Sequence, residues 1–179
     1  MKKVTSFARV ELGESHDRQL FIDLSREYFE WMNQEIIQLC GFSIPSIVNK
    51  NLNDYVLYTV DIASRIKQSD GGIYFLRDTE ANVVTMGGLR RLPNANAEIV
   101  RIYTNPQYRG HGYATVMLHH LIDEARRLGY LEVYLDTGFF MKTAQKLYEA
   151  TGFSQTHPYP GAEPPKELMP YWLYMKRIL

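Results

Sequence analysis

Cysteine is almost missing from this chain. One residue, Cys40, stands among 179. A single thiol cannot close an internal disulfide, so the fold relies on its core and suits a reducing compartment; the expected location is cytoplasmic. Cys40 lies in an apolar-rich stretch and reads as a small buried hydrophobe. Net charge is missing too: 20 Lys plus Arg balance 20 Asp plus Glu. That balance argues against nucleic acid or anionic membrane as a partner held by bulk charge. No apolar run approaches the roughly 20 residues that span a bilayer. Met1, Lys2, Lys3 and Val4 are not followed by the apolar stretch of a secretory signal. Internal repeats and low-complexity linkers are absent. What is present is 45% hydrophobic residues over 179 positions, enough for one domain, 1–179, with a substantial core.

Hydrophobic spacing gives the order of elements. Residues 3–10 alternate loosely as an opening strand. From Ser15, a plausible N-cap, the period becomes helical, with Leu20, Leu24, Tyr28 and Trp31 on one side. Gly41 and Pro45 end that helix. A second helix is expected over 54–67, capped by Asn53 and burying Val56, Val60, Ala63 and Ile66. Strands follow at 73–77, 83–89 and 97–104, the first two joined as a hairpin, with Gly87 and Gly88 suggesting a bulge. A strongly amphipathic helix carries Ala114, Met117, Leu118, Leu121, Ala125 and Leu128 on one stripe and ends at Gly129. A buried strand at 131–135, a short helix at 141–150 burying Ala144 and Leu147, and strands at 153–157 and 171–178 complete the chain. A rigid, proline-rich loop separates the last two strands. The order βααβββαβαββ describes an α/β fold with a mixed, mostly antiparallel sheet of six to seven strands and about four helices.

Residues 102–115 carry the most chemistry. A strand ends at Thr104, five or six residues turn the chain, and a helix begins near Gly112. The first turn of a helix offers N–H groups without intrahelical partners, together with the positive end of its dipole. Gly110 and Gly112 remove side chains that would keep a phosphate from those groups, while Arg109 and His111 add positive charge. This pattern predicts a phosphate or pyrophosphate ligand. The Gly-Lys-Ser/Thr of a P-loop is absent. A dinucleotide fingerprint fits poorly: its third glycine is Thr115, and only about 40 residues follow Asp136, too few for a doubly wound sheet.

Gln107, Gly110 and Gly112 match the Arg/Gln-x-x-Gly-x-Gly/Ala signature, and the chain here resembles the GNAT family of acetyl-CoA-dependent N-acetyltransferases. Residues 98–106 look like that family's fourth strand and its exit. Ala144, Leu147, Tyr148, Glu149, Gly152 and Phe153 resemble its last helix and following strand, and 174–176 its final strand. The likeness covers residues 70–179 well and the first 70 only by element order.

The resemblance implies a GNAT-like fold whose sheet splays after the fourth strand, with acetyl-CoA as donor and no metal. Pantetheine would lie along Ile102, Tyr103 and Thr104. The pyrophosphate would rest on the loop and first helical turn: Gln107, Arg109, Gly110, His111, Gly112, Tyr113, Ala114 and Thr115. Tyr148 would stand near the thioester sulfur. The family often places Asn where this chain has Met141, which removes one expected cofactor contact.

Acetyl transfer to nitrogen sets further requirements. An amine of pKa near 10 is neutral about once in a thousand at pH 7, so a base helps. The carbonyl oxygen gains charge and needs an N–H donor, and the leaving thiolate takes a proton. By the resemblance Glu98 is the base, acting through water, and Tyr148 the acid. Glu98 reads equally as a surface strand carboxylate or a partner for Arg101; the other reading of Tyr148 is a core-edge aromatic. Asp136, His157 and Arg101 could line the acceptor side or be structural. His119 and His120, about 100° apart on a helix, cannot share a metal and read as helix surface. Glu27, Glu30 and Glu35 read as a solvated face. The expected reaction is direct attack by a small-molecule amine in a ternary complex. A protein N-terminus or lysine is the alternative acceptor, and an idle acyl-CoA sensor the non-enzymatic reading. Segments 28–60 and 157–170, rich in Tyr and Phe, are expected to shape the acceptor pocket. Dimers are common in the family, so a homodimer is among the assemblies it allows.

Overall fold

The computed structural model describes residues 4–13 and 16–179. The elements run β1 (Val4–Arg9), α1 (His16–Cys40), α2 (Ile44–Val48), α3 (Leu52–Ser64), β2 (Gly72–Asp78), β3 (Val83–Leu92), β4 (Asn96–Thr104), α4 (Tyr113–Arg127), β5 (Glu132–Gly138), α5 (Lys142–Ala150), β6 (Ser154–Thr156) and β7 (Trp172–Ile178). Short 3-10 turns at Pro106–Tyr108 and Lys166–Tyr171 precede α4 and β7. The α/β class, the mixed sheet of seven strands and the strand order along the chain agree with the sequence reading. Ser15, the expected cap of α1, lies outside the described residues.

Three local readings are corrected. Pro45 does not simply stop α1. It opens an additional short helix, α2, whose cap Ser43 accepts from the amide of Ser46; proline fits the first helical turn because its missing N–H has no partner there. The third helix is capped by Asn51 rather than Asn53, Asn51 Oδ1 accepting from the Asp54 amide at 2.9 Å, and it ends at Ser64. On α5 the buried side chains are Gln145 and Tyr148, while Ala144 and Leu147 are half-buried. Gln145 is satisfied there by donating to the Gly138 carbonyl at 2.8 Å.

The sheet order is β1-β2-β3-β4-β5-β7-β6. β4 and β5 run parallel, joined by the α4 crossover, and the other pairs are antiparallel. Both faces are covered, which is why β2 reads as an unbroken apolar run. Ile73 and Phe75 face a core built with Phe21, Ile36 and Val60 of α1 and α3. Tyr74 and Leu76 face a second core with Met117, Leu118 and Leu121 of α4.

The bulge suggested for β3 at Gly87 and Gly88 falls at that point of the pair but on the partner strand, with its extra residue on β4. Between Met86 and Gly88 of β3, β4 runs from Tyr103 to Val100. Arg101 takes up the extra residue at φ 56°, a left-handed conformation unusual for a non-glycine residue.

Candidate active site

β4 and β5 pair only at Asn96, Ala97 and Glu98 against Glu132, Val133 and Tyr134. Beyond that point each strand keeps its outer neighbour, β4 continuing along β3 and β5 along β7, and the two diverge. The β5-facing backbone edge of β4 from residue 99 onward therefore borders a gap. A cavity of about 560 Å³ fills it, walled by β4, β5, α1, the α4 entry loop and α5.

Ten of the twelve expected cofactor positions line this cavity: Ile102, Tyr103, Thr104, Arg109, Gly110, Gly112, Tyr113, Ala114, Thr115 and Tyr148. Gln107 and His111 do not; both are exposed. The Gln107 amide donates to Asn105 Oδ1 at 3.2 Å, and His111 Nδ1 lies 2.9 Å from the Arg109 carbonyl. These two residues shape the loop from outside.

Gly112 caps α4 at φ 80° without any side-chain cap bond. The N–H groups of the first turn, which have no carbonyl of the helix to bind, are thus left to the loop and cavity. A Cβ built on Gly110 or Gly112 meets nothing within 4 Å, so open space lies where side chains are missing. This fits a bound phosphate. Arg109 folds back to donate from Nε to the Thr104 carbonyl at 3.2 Å, with its guanidinium 5.6 Å from the Tyr103 ring.

At the other end, Tyr148 of α5 lines the cavity. Burial, and then the charge of Asp136, push its phenol well above its ordinary pKa, so it holds its proton. Met141 occupies the N-cap of α5 without a side-chain cap bond and lines the cavity.

Glu98 is fully buried and does not border the cavity. Arg90 binds it in an ion pair, and Tyr159 Oη donates to it at 2.6 Å. Burial pushes its carboxyl upward against the opposing pull of Arg90. Its ion partner is Arg90; Arg101 instead binds Glu163, from Nε at 3.1 Å and Nη2 at 2.5 Å. Asp136 does line the cavity. Burial first, then the charges of Glu98 and Glu163, raise its carboxyl well above the usual range. In the sequence Asp136 weighed no more than His157, which is exposed and away from the cavity. What distinguishes Asp136 is its place two residues past Tyr134, the last β5 residue paired to β4, a pairing that the sequence does not show.

His120 also departs from expectation. His119 is exposed, but His120 stacks on Phe7 with centroids 3.8 Å apart and meets the Tyr74 ring edge-on at 4.9 Å. The sheet-facing side of α4 therefore extends to His120, which β1 and β2 cover in part. Among the described residues no group of three His, Cys, Asp or Glu could hold a metal ion, and no helix is long and apolar enough to cross a membrane.

The strands part beside an uncapped helix N-terminus, and a phenol and an acid line the same gap. Comparison with known proteins gives the family: residues 25–153 match the acetyltransferase (GNAT) family, and the chain belongs to it. It is an acetyl-CoA-dependent acyltransferase. It is 29% identical over 135 residues to the uncharacterized N-acetyltransferase YsnE of Bacillus subtilis, covering 72% of this chain and 89% of that one. It is 31% identical over 97 residues to the uncharacterized N-acetyltransferase YjgM of Escherichia coli, covering 52% and 58%. The match to human N-acetyltransferase 8 is 27% over 120 residues, spanning 53% of that protein. In fold it resembles the PaiA N-acetyltransferase of Thermoplasma acidophilum, solved with coenzyme A, at a TM-score of 0.69 and 15% identity over 98% and 100% of the two chains.

Proposed function

We propose that the protein transfers acetyl from acetyl-CoA to the primary amine of a small molecule, by direct attack within a ternary complex. The observation carrying this reading is the parting of β4 from β5 after Glu98, which opens one continuous cavity from the α4 N-terminus to Tyr148 and Asp136.

The first-turn amides of α4 and the backbone of Gly110 would hold the pyrophosphate, and the free edge of Ile102, Tyr103 and Thr104 the pantetheine. Bound there, acetyl-CoA supplies the acetyl group as a thioester. The amine nitrogen forms its bond to the carbonyl carbon as the carbon–sulfur bond breaks. Backbone N–H groups of β4 face the oxygen that gains charge. Asp136, on the cavity wall, takes the proton lost by the amine, directly or through one water. Glu98 stands behind it as the second carboxylate of the relay, its charge raising the proton affinity of Asp136. Tyr148, kept protonated by burial, gives its proton to the departing sulfur. Tyr28, Trp31, Phe140 and Glu163 wall the acceptor side, which favours a small molecule over an extended protein segment.

The test pairs a thermal shift with an amine screen. Acetyl-CoA should raise Tm, and small primary amines should release free thiol. No shift with either acetyl-CoA or CoA would sink the reading. A shift with thiol release only from peptides would move the acceptor to proteins, and a shift with no release from any amine would favour a sensor.

A further inference from the structure

A second cavity, of about 550 Å³, lies on the far side of Arg101 and is lined by residues of α3, the α2–α3 link and the loop before β7. The two cavities share Val100, Arg101 and Glu163 in their walls. The Arg101–Glu163 ion pair is thus part of the partition between the cleft and a chamber that also presents Lys50, Arg90, Tyr55 and Tyr58. Its lining contains three cationic side chains and one carboxylate, that of Glu163.

The Arg101 side chain is 3% exposed, whereas that of Glu163 is 33% exposed. Both bonds from Arg101 end on one oxygen, Glu163 Oε1. Nη1 is buried and has no hydrogen-bond partner among the described residues. A guanidinium presents donors in a planar fork that two carboxylate oxygens fill together. Here the fork is half filled by a carboxylate from a loop, and leaving a charged buried donor unmet is unfavourable. The backbone holds this group in place at some strain, because Arg101 occupies the bulge position at φ 56°.

We propose that the acceptor amine also carries a carboxylate, and that this carboxylate takes over Arg101 from Glu163 while its apolar portion enters the second cavity beside Tyr55 and Tyr58. The inference rests on the acetyltransferase reading above and names the substrate class for that site. Glu163 acts as a stand-in for the substrate group on Arg101. Its loop contains Gly161 at φ 86° between prolines at 160, 164 and 165, and Arg90 donates to the Gly161 carbonyl. A carboxylate, rather than a phosphate, is the group because the chain itself already seats a carboxylate there.

The test measures thiol release from matched pairs differing only by the carboxylate: phenylalanine against phenethylamine, and leucine against isoamylamine. The carboxylated member should win by at least tenfold in kcat/KM. R101M should bring that ratio close to one while the Tm rise caused by CoA is retained. E163Q should lower KM for the carboxylated members severalfold, and it serves as the informative variant if R101M does not fold. The inference is overturned if the plain amines are preferred, if R101M leaves the ratio intact, if E163Q leaves KM unchanged, or if neither member of any pair is acetylated while CoA still stabilises the protein. Loss of the CoA-induced Tm rise in the unaltered protein would instead count against the acetyltransferase reading itself.

Discussion

The indole Nε1 of Trp172 donates to Oδ1 of Asp136 at 2.8 Å, fixing the carboxyl on the wall of the gap where β5 has left β4. An acid held by one donor on one oxygen keeps the other free to accept a proton. D136N preserves shape and can keep the Trp172 bond, but it cannot accept that proton. It should lower kcat at least tenfold and leave CoA affinity within about twofold, as read by steady-state kinetics beside CoA titration. Unchanged turnover would remove Asp136 from the mechanism.

The same carboxyl ties stability to pH. Its folded-state pKa lies well above the ordinary 3.8, burial being the main cause, so the folded protein binds this proton more tightly than the unfolded chain does. The stabilisation is complete below the ordinary value and is lost as pH rises through the raised one. Turnover runs the opposite way, because only the ionised form accepts a proton. Tm should therefore fall while kcat rises over one pH window above the usual carboxylate range. D136N should flatten the Tm part of that change, as scanning fluorimetry across a buffer series would show.

Much of this site could be read in the sequence, for a physical reason. The turn into α4 needs residues at positive φ and open space, and Gly110 and Gly112 declare both locally. The amphipathic stripe of α4 and the doubly buried run of β2 are local as well. What was hidden depends on pairing between distant segments. No neighbour of Asp136 reveals that β4 and β5 separate two residues before it. Nothing around His120 tells of Phe7, more than 100 residues earlier. Arg101 meets Glu163 across a sequence separation of 62, and Glu98 pairs with Arg90 on the neighbouring strand, so the link between Arg101 and Glu98, three residues apart, is not made.

Gly112 offers a direct check on the phosphate position. Alanine there meets no atom within 4 Å but must adopt φ 80°, at a strain of about 1 kcal/mol. For a chain of this size that corresponds to a fall in Tm of roughly 2–4 °C. If phosphate oxygens occupy that open space, G112A should weaken CoA binding at least tenfold, well beyond what the strain explains. Calorimetric titration giving unchanged affinity would place the phosphates elsewhere.

His120 should be replaceable at a gain. Its Nε2 is buried without a hydrogen-bond partner among the described residues, and an unmet polar group of this kind costs about 1–3 kcal/mol. Burial lowers its pKa against the opposing charges of Glu124 and Asp123. The unfolded chain therefore takes up a proton near pH 6.5 before the folded protein does, and stability is lost as pH falls from there through the lowered value. H120F keeps a ring against Phe7 and Tyr74. It should raise Tm by a few degrees at pH 7 and by more at pH 5.5. A lower Tm at both would show that the imidazole is satisfied by water.

Tyr148 separates the chemistry from the scaffold most cleanly. Its ring belongs to the second core, 6.0 Å from Phe153, so Y148F retains the packing and removes one oxygen. The phenol is held protonated by burial and by the charge of Asp136, which suits a donor and rules out a base at neutral pH. Y148F should lower kcat at least tenfold, with little change in CoA affinity and Tm. The loss should shrink with acyl donors whose thiols are more acidic, because a better leaving group depends less on a proton from the enzyme. A loss of equal size for every donor would assign the hydroxyl to positioning, and unchanged turnover would remove Tyr148 from the mechanism.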